Sequence, residues 1–115
     1  MVPKIEERYP STSFAIPFVL TRPSLSKQGI KERIQFYADK YGVSAEVMEK
    51  VVSCESGYDP HALGDFSKSR GLVQIHSTYH PQITDEMAFD VDFSLDFLAK
   101  NLKAGNGNLW SCYRV

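Results

Sequence analysis

The run Ser44-Ala45-Glu46-Val47-Met48-Glu49-Lys50-Val51-Val52-Ser53-Cys54-Glu55-Ser56-Gly57-Tyr58-Asp59-Pro60 decides how this chain is read. Val47, Met48, Val51 and Val52 recur at three- and four-residue steps, which marks one face of a helix. Ser44 stands where an N-cap belongs, and Glu46 in the first turn suits the positive end of the helix dipole. Gly57 ends the helix, and Asp59-Pro60 turns the chain beyond it. Glu55 follows Val51 by four residues and Val52 by three, so its carboxyl belongs to the apolar stripe, in the last turn. Apolar surroundings penalise the ionised form, and so does the partial negative charge at a helix C-terminus. A carboxyl kept protonated near neutral pH is what general-acid catalysis requires. The ordinary alternative is a glutamate that turns outward and is simply solvated.

Working outward, Ile30, Ile34, Tyr37, Ala38 and Tyr41 describe an amphipathic helix that starts after Ser26 and ends at Gly42. Lys27, Lys31, Glu32 and Arg33 are its solvated face. Residues 58–90 read as irregular, with Gly64, Gly71 and Pro81 among polar residues. A loop that long in a small domain is usually functional. A last helix begins near Asp90 or Asp92, with Val91, Leu95, Leu98, Ala99 and Leu102 as its buried stripe, and Gly105 ends it. Asn106-Gly107-Asn108 is a turn, and Leu109, Trp110 and Tyr113 anchor the tail. Trp110 and Tyr113 offer rings to a sugar, though aromatics at the end of a small domain are more often core. Before the first helix, Pro3, Pro10, Pro17 and Pro23 block any continuous helix, so residues 1–26 read as an extended arm. Phe14, Ile16, Phe18 and Val19 are its residues for packing onto the domain formed by 27–115. The class is mainly α, with a long middle loop.

A chain of 115 residues has room for one domain, and 43% hydrophobic with 23% charged residues is ordinary for a globular protein. A net charge of −1 supplies no field for a polyanion, which argues against nucleic acid as a partner. No segment approaches a membrane span, since the apolar run Phe14 to Leu20 is short and contains Pro17. The stretch before it mixes Glu6 and Glu7 with Lys4 and Arg8, so no secretory signal is read there. Cys54 and Cys112 permit one disulfide or two buried thiols, and neither sits in a CxxC pair. His76 and His80 stand four apart without a third ligand, so polar loop histidines are expected rather than a metal site. No phosphate-binding glycine loop or nucleophile elbow is present, and no cofactor is expected.

Cys54-Glu55-Ser56-Gly57-Tyr58-Asp59-Pro60, followed by His61-Ala62, resembles the catalytic motif of lysozyme-like lytic transglycosylases. Ser69-Arg70-Gly71-Leu72-Val73-Gln74-Ile75 resembles the second motif of that family, Gly-Leu-Met-Gln-Ile. Ala88-Phe89-Asp90 with the helix after it, and Trp110-Ser111-Cys112-Tyr113, are similar to the closing segment of its shortest members. The resemblance covers residues 28 to 115. It implies a lysozyme-like fold, α+β at most, with two small lobes and a cleft for the glycan strand of peptidoglycan. Glu55 is then the acid that protonates the oxygen between N-acetylmuramic acid and N-acetylglucosamine. It next serves as base on the sugar's 6-hydroxyl, which leaves a 1,6-anhydro end. The resemblance makes Gln74 a ligand of the acetamido sugar and Gly71 a place where backbone approaches the glycan. Ser56 shapes the turn beside the acid, and Leu72 and Ile75 join the binding site through the same motif. A monomer acting outside the cytoplasm, or one associated with a phage, is expected.

Two departures stand out. Val73 replaces the usual Met, and the Ala-Tyr-Asn-x-Gly motif of larger members, whose tyrosine contacts the acid, is missing. Tyr113, which the resemblance counts among the binding residues, can stand in that place, and so can Tyr58 or Tyr79; the sequence does not choose among the three. A hydrolytic lysozyme needs a second carboxylate about 5–9.5 Å from the acid. Asp59, Asp65 and Asp85 are available, and Asp65, beside Gly64, is the best placed of them. A module that binds glycan or a partner protein without cutting is the remaining alternative.

Overall fold

The computed structural model describes residues 25–114. The expected arm, with Phe14, Ile16, Phe18 and Val19, lies outside the described residues apart from Leu25 and Ser26. The order of elements is α1 (Lys27–Tyr41), α2 (Ala45–Ser56), β1 (Leu63–Gly64), β2 (Ser69–Arg70), β3 (Ile75–His76), α3 (Asp85–Phe89) and α4 (Val91–Lys103). Two 3-10 turns, Gly107–Leu109 and Ser111–Arg114, follow. None of these helices is long and apolar enough to cross a membrane.

The long helices begin at side-chain caps and are assembled by burial. Ser26 accepts from the Gly29 N–H at 3.0 Å, Ser44 from Val47 at 3.2 Å and Asp90 from Phe93 at 2.8 Å. Each such cap stabilises its helix by about 1 kcal/mol. Burial contributes more, about 1.5–3 kcal/mol for each large apolar side chain removed from water. Ile30, Ile34 and Ala38 of α1 pack with Met48, Val51 and Val52 of α2 and with Leu95, Leu98 and Ala99 of α4. All nine are buried at the period that the sequence shows. At the solvent edge of the α1–α4 contact, Asp92 accepts from Tyr37 at 3.1 Å and pairs with Arg33 at 2.6 Å. Burial, with the Asp92 charge next, pushes the Tyr37 phenol up to about 12. One turn on, Asp96 accepts from Tyr41 at 2.7 Å and Lys40 at 3.3 Å. Ion pairs this exposed are screened by solvent and contribute little, so they fix register more than they hold the helices together.

The middle segment is more ordered than its sequence implies. β1, β2 and β3 form an antiparallel sheet in that order, with Leu63 opposite Arg70 and Arg70 opposite Ile75. Strands of two residues are too short to show alternation, and the five-residue α3 is too short to show a helical stripe. The sheet is pinned by Arg70, whose side chain is 3% exposed. Its guanidinium donates to the Ile75 carbonyl at 3.1 Å, the Ile83 carbonyl at 3.0 Å and the Asp85 carboxylate at 2.9 Å. Asp85 is thereby committed to a structural ion pair on the α3 side.

Cys54 of α2 and Cys112 of the last turn are bonded, with Cα atoms 5.9 Å apart and a separation of 58 residues. By loop-closure reasoning such a bond stabilises the fold by about 4 kcal/mol. It fastens the tail, which Trp110 also holds by donating from Nε1 to the Val73 carbonyl at 2.8 Å.

Candidate active site

The last turn of α2 opens into a cleft of about 460 Å³. Glu55 lies on one side. Gly64, Asp65 and Ser69 of the β1–β2 hairpin, with Gln74, His76 and Tyr79, line the same cleft. Asn108 to Ser111 of the tail close the end.

Glu55 is half-buried. Burial pushes its carboxyl up from the usual carboxylate range, and the negative charge of Asp65 adds to that. A hydrogen bond from the Cys112 backbone N–H opposes the shift, because it favours the charged form. Ser56 donates from its hydroxyl to the Val52 carbonyl at 3.1 Å, so it finishes the helix beside Glu55 rather than lining the cleft.

Gln74 is held in a left-handed conformation, φ 52°. Its Nε2 donates to the carbonyls of Ala62 at 3.1 Å and Gly71 at 2.9 Å. Both amide protons are thus consumed by backbone, which leaves Oε1 as the acceptor. Gly64 makes room for it: a Cβ at Gly64 would lie 2.5 Å from that oxygen.

The remaining motif residues divide between cleft and core. Leu72 is buried in the core, and Ile75, also buried, reaches only a small side pocket of about 100 Å³ shared with His80 and Phe97. Gly71 does not face the cleft. At φ 84° a Cβ there would lie 2.0 Å from the Ala88 carbonyl oxygen, so this glycine lets the sheet meet the end of α3. Of the three tyrosines, Tyr79 is the one that lines the cleft, with its ring 4.7 Å from that of His76. Tyr113 packs its ring over Gly107, and Tyr58 lies under the Lys27 ammonium. Of the carboxylates, Asp65 lines the cleft, while Asp59 accepts from the His61 N–H at 2.9 Å as an Asx turn. His76 faces the main cleft, and His80, its pKa lowered first by burial and then by Arg70 and His76, faces the side pocket. Among the described residues no group of three or more His, Cys, Asp or Glu is arranged to hold a metal ion.

The family described as Transglycosylase SLT domain matches residues 32–115. The chain belongs to that family. No curated protein and no solved structure matches it. The mainly helical architecture with its small sheet is that of a lysozyme-like SLT domain, and the family's activity is of the lytic-transglycosylase type, directed at peptidoglycan. Several contributors to this SLT cleft were not legible beforehand. Ser69 and Ser111 were read only as parts of their motifs, Asn108 as a turn residue and Leu109 as a tail anchor, none of them as cleft residues.

Proposed function

We propose that Glu55 is the general acid and base with which this domain cuts the glycan strand between N-acetylmuramic acid and N-acetylglucosamine. The supporting observation is a carboxyl that burial biases toward its protonated form, set in the wall of an open cleft. The protonated carboxyl gives its proton to the bridging oxygen as the bond from that oxygen to the muramic acid C1 breaks. The electron pair leaves with the oxygen. The resulting carboxylate then takes the proton of the 6-hydroxyl while that oxygen bonds to C1. Atoms and charge balance without water, and the product carries a 1,6-anhydro end. Gln74 Oε1, with both amide protons already used, accepts from an N–H or hydroxyl of the bound sugar.

Asp65 supports a second reading. It lines the same cleft and its charge acts on Glu55, the arrangement of an acid paired with a second carboxylate in a hydrolase. Mass spectrometry of soluble products from purified peptidoglycan separates the two. The first reading expects anhydro-muropeptides from the native chain, with the rate lowered about 10²- to 10⁴-fold in Glu55→Gln. Reducing-end products lost in both Glu55→Gln and Asp65→Asn would establish the hydrolase. Glycan binding without products from the native chain would leave a binding module.

A further inference from the structure

Tyr79 and Trp110 both reach the cleft, and they are disposed oppositely. Trp110 is 4% exposed, meets Phe97 edge-on at 6.0 Å and spends its Nε1 on the Val73 carbonyl, so its ring belongs to the core. Tyr79 is 76% exposed and borders both the main cleft and the side pocket. Exposure alone marks no site, since Phe66 is wholly exposed and borders neither cavity. The difference lies in how Tyr79 is mounted. Pairing of the hairpin continues past β3, where the Ser77 N–H donates to the Lys68 carbonyl at 2.8 Å. The chain then turns about His76: the Thr78 N–H donates to His76 Nδ1 at 3.2 Å, and the His80 N–H to the His76 carbonyl at 3.0 Å. The Tyr79 ring lies against the His76 imidazole with centroids 4.7 Å apart. It is thus backed by a residue of the sheet before any ligand arrives, and less freedom is lost on binding.

Glu55, Asp65 and Ser69 border the main cleft alone, whereas Tyr79 and Leu109 border both cavities, so Tyr79 stands where the side pocket joins the cleft. A ligand there must offer an apolar face to the ring and hydrogen-bonding groups at its edge to Asp65, Gln74 and Ser111. A pyranose has that form, with C–H bonds on its faces and hydroxyl or acetamido groups around its rim. We propose that Tyr79 is a stacking platform for one sugar ring of the bound glycan strand, with His76 as the positioning residue that backs it. The inference rests on the reading of the cleft as a glycan site, and not on Glu55 being the acid. Because Glu55 does not border the junction, the sugar on Tyr79 is one that flanks the reacting bond, and its contact is felt in binding more than in chemistry.

The test measures binding by NMR on the full chain, in the Glu55→Gln background so that the strand is not cut. The probe is short glycan strands freed of peptide by an amidase. Sugar C–H protons are expected to shift upfield under the ring current of Tyr79, and Tyr79→Ala should abolish that shift and weaken binding about tenfold. Tyr79→Phe keeps the ring and should bind nearly as the parent does. His76→Ala should weaken binding by less, and the double variant His76→Ala/Tyr79→Ala should be no weaker than Tyr79→Ala, since His76 acts through the ring. Additive losses would overturn the positioning role. Tyr79→Ala that binds as tightly as the parent overturns the platform, and so does Tyr79→Phe that binds as weakly as Tyr79→Ala, which would assign the effect to the hydroxyl. A loss seen only with strands that still carry peptide overturns it as well, by placing peptide on the ring. With Glu55 in place, Tyr79→Ala should raise KM about tenfold and change kcat less. Strands that do not bind the parent at all would sink the glycan reading of the cleft together with the platform, whereas strands that bind the parent and Tyr79→Ala alike sink the platform alone.

Discussion

In α1, α2 and α4 the buried residues fall at helical steps and each helix starts at a side-chain cap, whereas residues 58–74 hold five non-glycine residues at positive φ. Those five are Tyr58, Asp65, Phe66, Ser67 and Gln74. An L-residue in the left-handed region costs about 1–2 kcal/mol, so this segment adopts its shape against local preference and is held by contacts from outside it. Arg70 reaching to Ile83 and Asp85 is such a contact, while Gln74 tied to Ala62 and Gly71 and Ser69 donating to Asp65 at 2.6 Å brace the segment from within. The helices supply the stability and the middle segment spends some of it to build a cleft wall.

The largest effect is expected where the frame is cut. Leu98 is fully buried among α1, α2 and α4, so Leu98→Ala should cost about 2–5 kcal/mol in urea unfolding. A cost well under 1 kcal/mol would mean that the three helices do not share one core. A smaller effect of opposite sign is expected in the middle segment. Ser67 is exposed at φ 72°, and Ser67→Gly should stabilise the chain by about 1 kcal/mol, the left-handed penalty less the entropy that glycine loses on folding. Ser67→Ala, which keeps the penalty, should be close to neutral. If the glycine variant is no more stable than the alanine one, the hairpin is not strained and the contrast between the two regions collapses.

The same contrast explains what the sequence made legible. Capping serines, the terminating Gly42 and Gly57 and the apolar stripes are local signals, and α1, α2 and the start of α4 after Asp90 follow from them. The sheet did not, because strands of two residues have no period and depend on pairing across residues 63 to 76. At the site, Glu55 and Gln74 were legible through their motifs and do line one cleft. Leu72, Ile75 and Gly71 belong to the same motif for packing reasons, which a motif does not distinguish from binding. The sequence leaves Tyr58, Tyr79 and Tyr113 open, and Tyr79, within the segment read as irregular, is the one of them that lines the cleft. The bridge between Cys54 and Cys112 was one of two open readings, since spacing along the chain says nothing of a 5.9 Å approach in space.

The smallest effect concerns Glu55, where frame and cleft meet, and its sign follows from linkage. Its folded-state pKa lies above the ordinary glutamate value of 4.5. Below that value both folded and unfolded chains are protonated, and Glu55 costs nothing. As pH rises toward the raised folded value, the unfolded chain gives up the proton more readily, and stability falls until the folded carboxyl has also ionised. Glutamine has no such transition. Glu55→Gln should therefore melt higher than the native chain by a gap that opens as pH rises from the unfolded through the raised folded pKa and then holds level, with little difference at the acid end. The group is only half-buried, so the gap is small beside that of Leu98→Ala. Activity carries the same signature, because a general acid must hold its proton: the native rate should decline on the alkaline side through the pKa that opens the melting gap. A gap that stays constant with pH would mean that Glu55 ionises alike in folded and unfolded chains, and the apolar stripe of α2 would then have no hold on the residue it carries into the cleft.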